Sequence, residues 1–258
     1  MSLLTVERVT RRFGGLTAVD DVSFDVHEGS IKALIGPNGA GKSTLFNLLT
    51  GFDVPDAGTV CLAGSDITGL RPHRIVRRGV ARTFQNTQLF EELSSLDNVA
   101  CGHHPVTRTG MISAALSLPG TRSEERLVSE ESHRLLRLVG IERVADTAAG
   151  DLPHGVRRLL EIARALATHP RLLLLDEPAA GLNGAETAAL AEVLFRVRDS
   201  GVTIVIVEHD MGLVMEISDE IVVLSEGRKI AEGPPRLIQK DPLVIEAYLG
   251  EGTTVDDA

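Results

Sequence analysis

The sequence predicts an α/β fold built on a parallel sheet, and three observations carry that reading. Short aliphatic runs alternate with helical stretches through the second half of the chain. A glycine-rich segment at residues 36–44 lies between an apolar strand and an amphipathic helix. The composition is aliphatic, with aromatic residues at 3% of 258 positions and no Trp. Such a chain suits a buried sheet of Val, Ile and Leu strands covered by helices, and its length fits one large domain or a core with an inserted subdomain.

Residues 4–9, 22–26, 30–35 and 58–62 read as strands, with turn signals at Gly14-Gly15, Glu28-Gly29 and Pro55-Asp56-Ala57-Gly58. Their hairpin spacing predicts an antiparallel sheet beside the strand that enters the glycine-rich segment. Residues 43–49 then read as a helix. From 93 to 144 the pattern turns helical, clearest at 124–139, where Leu127, Leu135, Leu136, Leu138 and Val139 stand among charges. This predicts an inserted helical subdomain. Strand-helix alternation returns at 172–175, 184–198, 202–207, 211–217 and 221–224, which implies parallel, right-handed crossovers. A tail opening at Pro234-Pro235 predicts two short helices ending near Tyr248-Leu249, then a frayed acidic end.

A formal charge of −10 argues against non-specific nucleic-acid binding, which needs clustered Lys and Arg. The arginines at 71–82 and the pair Arg157-Arg158 read first as solvated helix faces, with local contacts as the other reading. Cys61 and Cys101 have no metal or redox spacing, so a reduced cytosolic compartment is expected. No stretch approaches the roughly 18 apolar residues of a membrane span, and the first residues lack a basic region followed by an apolar one. Any membrane role is therefore expected to come through a partner.

Gly36-Pro37-Asn38-Gly39-Ala40-Gly41-Lys42-Ser43-Thr44 fits G-x-x-x-x-G-K-[ST], the loop that cradles nucleotide phosphates. Its glycines let successive N–H groups converge on the β-phosphate, Lys42 reaches the β/γ oxygens, and the Ser43 hydroxyl is placed to ligate Mg²⁺. The helix that follows adds its positive end. The run Leu172-Leu173-Leu174-Leu175 ends in Asp176-Glu177, two carboxylates at the carboxyl end of a buried strand, where α/β folds place ligands. Asp176 is then a candidate to hold Mg²⁺ through water and Glu177 to polarise the attacking water. Residues 202–207 end in Glu208-His209-Asp210, which brings His209 to the same sheet edge as a candidate γ-phosphate sensor.

With these residues assembled, nearly the whole chain resembles the ATP-binding subunit of an ATP-binding cassette (ABC) transporter. The resemblance implies a P-loop NTPase (RecA-like) core with an antiparallel β subdomain, at 1–88 and 158–233, a helical subdomain at 89–157 and a helical tail at 234–258. Gly36 to Thr44 corresponds to the Walker A loop, Asp176 closes Walker B, Glu177 matches the catalytic glutamate and His209 the switch histidine. Gln85 in Thr83-Phe84-Gln85-Asn86 matches the Q-loop glutamine, which in the family touches Mg²⁺ and the lytic water and couples to the membrane subunits. Ala180-Gly181-Leu182-Asn183 sits where the D-loop belongs. Phe13 occupies the place of the aromatic residue stacked on adenine, and Val19, Asn38, Gly39, Ala40, Gly41 and Thr44 are implied as further nucleotide contacts.

A finer resemblance, to the ATP-binding subunits of branched-chain amino acid importers, rests on Ala81-Arg82-Thr83-Phe84-Gln85-Asn86, Glu177-Pro178-Ala179-Ala180-Gly181-Leu182-Asn183 and Val244-Ile245-Glu246-Ala247-Tyr248-Leu249-Gly250. It implies ATP hydrolysis with Mg²⁺ on the cytoplasmic face of the membrane, permease subunits, a second ATP-binding subunit and, indirectly, a solute-binding protein. The family's signature, Leu-Ser-x-Gly-Gln, is altered to Leu152-Pro153-His154-Gly155-Val156. Pro153 replaces a serine whose hydroxyl contacts the γ-phosphate across the dimer, and Val156 replaces the glutamine. One weakened composite site, and hence a heterodimer with a partner carrying an intact signature, is the expectation, with a homodimer as the other arrangement. The competing expectation is a regulatory or assembly module with little turnover. A ribosome- or DNA-acting cassette protein is disfavoured by charge and by the lack of a tandem cassette. A GTPase is disfavoured because no Asn-Lys-x-Asp segment occurs.

Overall fold

The computed structural model describes residues 1–84, 88–104 and 119–249. Two sheets organise them. β1 (Ser2–Phe13), β2 (Leu16–His27), β4 (Ala57–Leu62) and β5 (Ser65–Asp66) form an antiparallel sheet in the order β2-β1-β4-β5. The second sheet has the order β10-β9-β3-β8-β7-β6, from β3 (Ile31–Ile35), β6 (Val80–Arg82), β7 (Leu172–Asp176), β8 (Thr203–Val207), β9 (Glu220–Ser225) and β10 (Arg228–Gly233). Its five strands from β9 to β6 are parallel, and β10 runs antiparallel to β9.

The apolar runs of the parallel strands are continuous because each strand is covered on both faces. Leu173 and Leu175 of β7, with Ile204 and Ile206 of β8, belong to one core. The alternate residues Leu172, Leu174, Val205 and Val207 face a second core shared with Leu45 and Phe46 and with the antiparallel sheet. All ten residues of β7 and β8 are buried. Helix α1 (Lys42–Thr50) lies under the second face, and α6 (Gly184–Asp199) and α7 (Met211–Ile217) cover the first. Asn183 caps α6 by accepting the Ala185 and Glu186 N–H groups, and Glu186 accepts the Asn183 N–H in return, a closed capping box.

The inserted segment contains α3 (Ser95–Gly102) and α4 (Pro119–Leu138), packed on α5 (His154–Leu166), with α2 (Pro72–Val76) ahead of it. Because α5 runs unbroken from His154, the boundary expected at 157/158 falls inside a helix. The tail forms α8 (Pro235–Ile238) and α9 (Pro242–Leu249), as its prolines predict.

Three strands escape the sequence pattern, the two-residue β5 among them. β10 is an edge strand with polar exposure, joined to β9 through Glu226 (φ 47°) and Gly227 (φ 80°), a two-residue hairpin turn without an Asn-Gly or Asp-Gly signal. β6 is three residues long. β1 and β2 extend to 12 residues each, well beyond residues 4–9 and 22–26.

Candidate functional site

β3 delivers the chain into the Gly36–Thr44 loop, and the geometry there depends on glycine. Gly36 has φ 151°, and a Cβ on it would lie 2.1 Å from the Leu224 carbonyl oxygen. Gly41 caps α1 with φ 99°, and a Cβ there would stand 2.3 Å from the Ala18 carbonyl oxygen. No other residue type fits so close an approach of loop, β9 and β2. The N-terminal amides of α1 consequently open toward the loop, which suits an anion. Lys42 Nζ donates to the carbonyls of Gly36 at 2.5 Å and Pro37 at 2.8 Å, so its ammonium is held within the loop.

A cleft of about 640 Å³ opens here. Asn38 to Thr44 line it, with Phe13, Leu16, Thr17 and Ala18 from the antiparallel sheet, Glu226 and Gly227 from the β9–β10 turn, and Glu177 and His209 from the carboxyl ends of β7 and β8. Phe13 is 46% exposed there, with the Arg11 guanidinium 4.7 Å from its ring centroid.

Val19 requires correction as a candidate contact. It is fully buried among the core residues between the sheets, because strand alternation turns it inward and leaves Ala18 at the cleft. Leu16, Thr17, Glu226 and Gly227 are lining residues that the motif does not name.

Glu177 follows β7 in a left-handed conformation, φ 49°, uncommon for a non-glycine residue. Its N–H donates to the Val207 carbonyl at 2.9 Å, and its Oε1 lies 2.7 Å from His209 Nε2. An ionised carboxylate only accepts, so the Nε2–H form of the histidine is the one this contact selects.

Asp176 is 7% exposed and pairs through Oδ2 with Arg82 Nη2 at 2.7 Å. Arg82 Nη1 also donates to Asn47 Oδ1 at 2.8 Å and Thr50 Oγ1 at 3.2 Å, and its guanidinium packs on the Phe84 ring at 5.0 Å. The expectation that the arginines at 71–82 are solvated fails at Arg82, as it does at Arg158, which is buried and paired with Glu161 at 3.2 Å. Both sit where an apolar wall removes water and a carboxylate replaces it. The sequence signal for Arg82 was a lone cation ending a short apolar run.

Pro153, His154, Gly155 and Val156 stand apart from this cleft, and none of them lines it. Pro153 is the N-cap of α5, where its missing N–H costs nothing to the helix. His154 Nε2 lies 3.1 Å from the Ala180 carbonyl oxygen, Gly155 is packed against Glu186, and Val156 leans on the core. Gln85 lies outside the described residues.

The cleft accepts a nucleotide on the chemistry of its lining: converging amides, a lysine, a hydroxyl at Ser43 and carboxylates at the sheet edge. Sequence comparison agrees. The family described as ABC transporter matches residues 19–180, and one described as branched-chain amino acid ATP-binding cassette transporter matches residues 228–253. The chain is 46% identical to the high-affinity branched-chain amino acid transport ATP-binding protein BraF of Pseudomonas aeruginosa, over 96% of this chain and 98% of the relative. It is 44% identical, with the same coverage, to the protein LivG of Escherichia coli, whose name has the same wording. Among solved structures, the ADP conformation of an ATP-binding cassette of an ABC transporter superposes with a TM-score of 0.85 at 33% identity, covering 97% of this chain and 99% of that one. The chain therefore belongs to the ABC transporter family, as one of its ATP-binding cassettes.

Proposed function

We propose that this cassette hydrolyses ATP to drive uptake of branched-chain amino acids through separate permease subunits, from a peripheral position on the cytoplasmic face of the membrane. The observation that carries the hydrolytic reading is the meeting of Lys42, Ser43, Glu177 and His209 on one cleft. The solute class rests on the names of the relatives, which disfavour a regulatory module with little turnover. Among the described residues no helix is long and apolar enough to cross a membrane, consistent with permeation through other chains.

In this reading Phe13 stacks on the adenine, and Asn38 to Thr44 hold the phosphates through backbone amides. Lys42 exchanges the carbonyls of Gly36 and Pro37 for β/γ oxygens. Ser43, Asp176 (through water) and Gln85 would hold Mg²⁺, which would supply charge compensation. Asp176 would do so with its Oδ2 already paired with Arg82. Glu177 takes the proton side of the attacking water, and His209, hydrogen-bonded to it, reports the γ-phosphate. We assign the chain to one ATPase domain, divided into a core at 1–88 and 158–233, a helical unit at 89–157 and a tail at 234–258, with the helix His154–Leu166 continuous across the 157/158 boundary.

The segment Pro153-His154-Gly155-Val156 faces a second ATP-binding subunit, whose own signature completes the cleft described here. We favour a heterodimer, because Pro153 supplies no hydroxyl to the partner's γ-phosphate. A solute-binding protein delivers the amino acid from the other side. The test is to purify the full chain with the subunits that accompany it from detergent-solubilised membranes and reconstitute them. ATP-dependent leucine, isoleucine or valine uptake, lost in Glu177→Gln while ATP binding persists, is the expected result. Undiminished turnover in that variant would overturn the reading.

A further inference from the structure

Glu208 is a buried carboxylate to which the proposed chemistry gives no part. It is 3% exposed and stands between the end of β8 and His209. Pairing of β7 with β8 ends at Asp176 and Val207, with one further bond from the Glu177 N–H to the Val207 carbonyl. Beyond that point a side chain takes over from the backbone. Glu208 Oε1 accepts the Ala179 N–H at 2.6 Å, and Oε2 accepts the His209 N–H at 3.1 Å. The Asp210 N–H also favours the charged form of this carboxylate.

The Ala179 and His209 amides thus find their acceptor in one side chain, which answers where backbone bonds of two turns go after the ladder stops. The two turns joined in this way carry Glu177 and His209, whose side chains meet at 2.7 Å. Burial pushes the Glu208 carboxyl up from its ordinary value, the three N–H groups hold it down, and the charge of Glu177 adds to the rise.

We propose that Glu208 is a positioning residue for hydrolysis, its carboxylate fixing the separation of Glu177 from His209 and thereby setting turnover rather than nucleotide affinity. The proposal rests on Glu177 and His209 being the pair that acts on the attacking water. Glutamine at 208 keeps the shape but turns an NH₂ group toward an amide donor, so one rung of the clamp is lost. Aspartate keeps the charge but is one methylene too short to bridge both turns.

The test measures kcat, KM for ATP and nucleotide affinity for Glu208→Gln and Glu208→Asp in the full chain with its co-purified subunits, beside Glu177→Gln, His209→Ala and the double variant with Glu208→Gln. The expected result is a kcat lowered by about tenfold to a hundredfold, the range for a displaced catalytic group, with KM and affinity within about twofold. On the His209→Ala background Glu208→Gln should add little, because both changes spoil one relationship. An unchanged kcat, a full additional loss in the double variant, or failure of both 208 variants to fold would overturn the proposal, the last assigning Glu208 to fold maintenance. Full turnover in both Glu177→Gln and His209→Ala would instead break the reading of the site itself.

Discussion

Nε2 of His209 lies 2.7 Å from Oε1 of Glu177, although 32 residues separate them in the chain. The contact exists because β7 and β8 are adjacent parallel strands that end together, so the residues just past their ends share one edge. If His209 orients Glu177 and senses the γ-phosphate, removing the imidazole costs turnover more than binding. His209→Ala is expected to lower kcat by roughly a hundredfold, within the usual range for an acid–base partner, while ATP affinity stays near that of the parent. Phosphate release and equilibrium nucleotide binding, measured side by side, check it.

The signature segment gives a gain-of-function prediction. Pro153 caps α5 without a side-chain hydrogen bond to the helix. A serine there restores both a hydroxyl and an N-cap acceptor. Pro153→Ser is expected to tighten ATP at the composite site this segment completes by about 1–3 kcal/mol, the range for a hydrogen bond to a charged group. The site built on Lys42 should be unaffected. Titration of the assembled pair with ATP, with Glu177→Gln holding nucleotide unhydrolysed, resolves the two sites.

How much of this was legible beforehand follows from the physics of each element. The Gly36–Thr44 loop, Asp176, Glu177 and His209 were readable because strand periodicity and strand ends are local properties. The parallel core was readable because strands buried on both faces are apolar throughout. β10 was not, since an edge strand facing water has no apolar pattern to show. Val19 was misassigned because one residue of register on β2 separates core from cleft. Arg82 and Glu208 were opaque for a shared reason: each is a charge whose partner lies on a distant segment. Arg82 meets Asp176 across 94 residues, and Glu208 meets Ala179 across 29.

Arg82 supplies a stability prediction. Its pair with Asp176 has side-chain exposures of 8% and 9%, so little water is available to replace it. Arg82→Ala strands the Asp176 carboxylate in that pocket and is expected to destabilise the cassette by about 3–5 kcal/mol, the range for breaking a buried pair by removing one partner. Arg82→Lys keeps a cation but cannot serve Asp176, Asn47 and Thr50 at once, so a smaller loss is expected. Denaturant unfolding of the three proteins orders them.

The last prediction concerns acid sensitivity at the root of the helical segment. His103, after α3, is buried, and its Nε2 has no hydrogen-bond partner among the described residues. Its ring lies 5.5 Å from that of His169, in the loop between α5 and β7. Burial holds the His103 pKa below its ordinary value of 6.5, His169 pushes in the same direction, and Glu131 of α4 opposes them. The unfolded chain therefore takes up a proton that the folded chain resists. The stabilising contribution of neutral His103 is present above about pH 6.5 and is lost as the pH falls through the lower, folded value. His103→Gln removes the titration, so the variant should be less stable than the parent near pH 8 but lose less on acidification. Melting temperatures at intervals from pH 8 to pH 5 test this, and parallel curves for the two proteins would count against it.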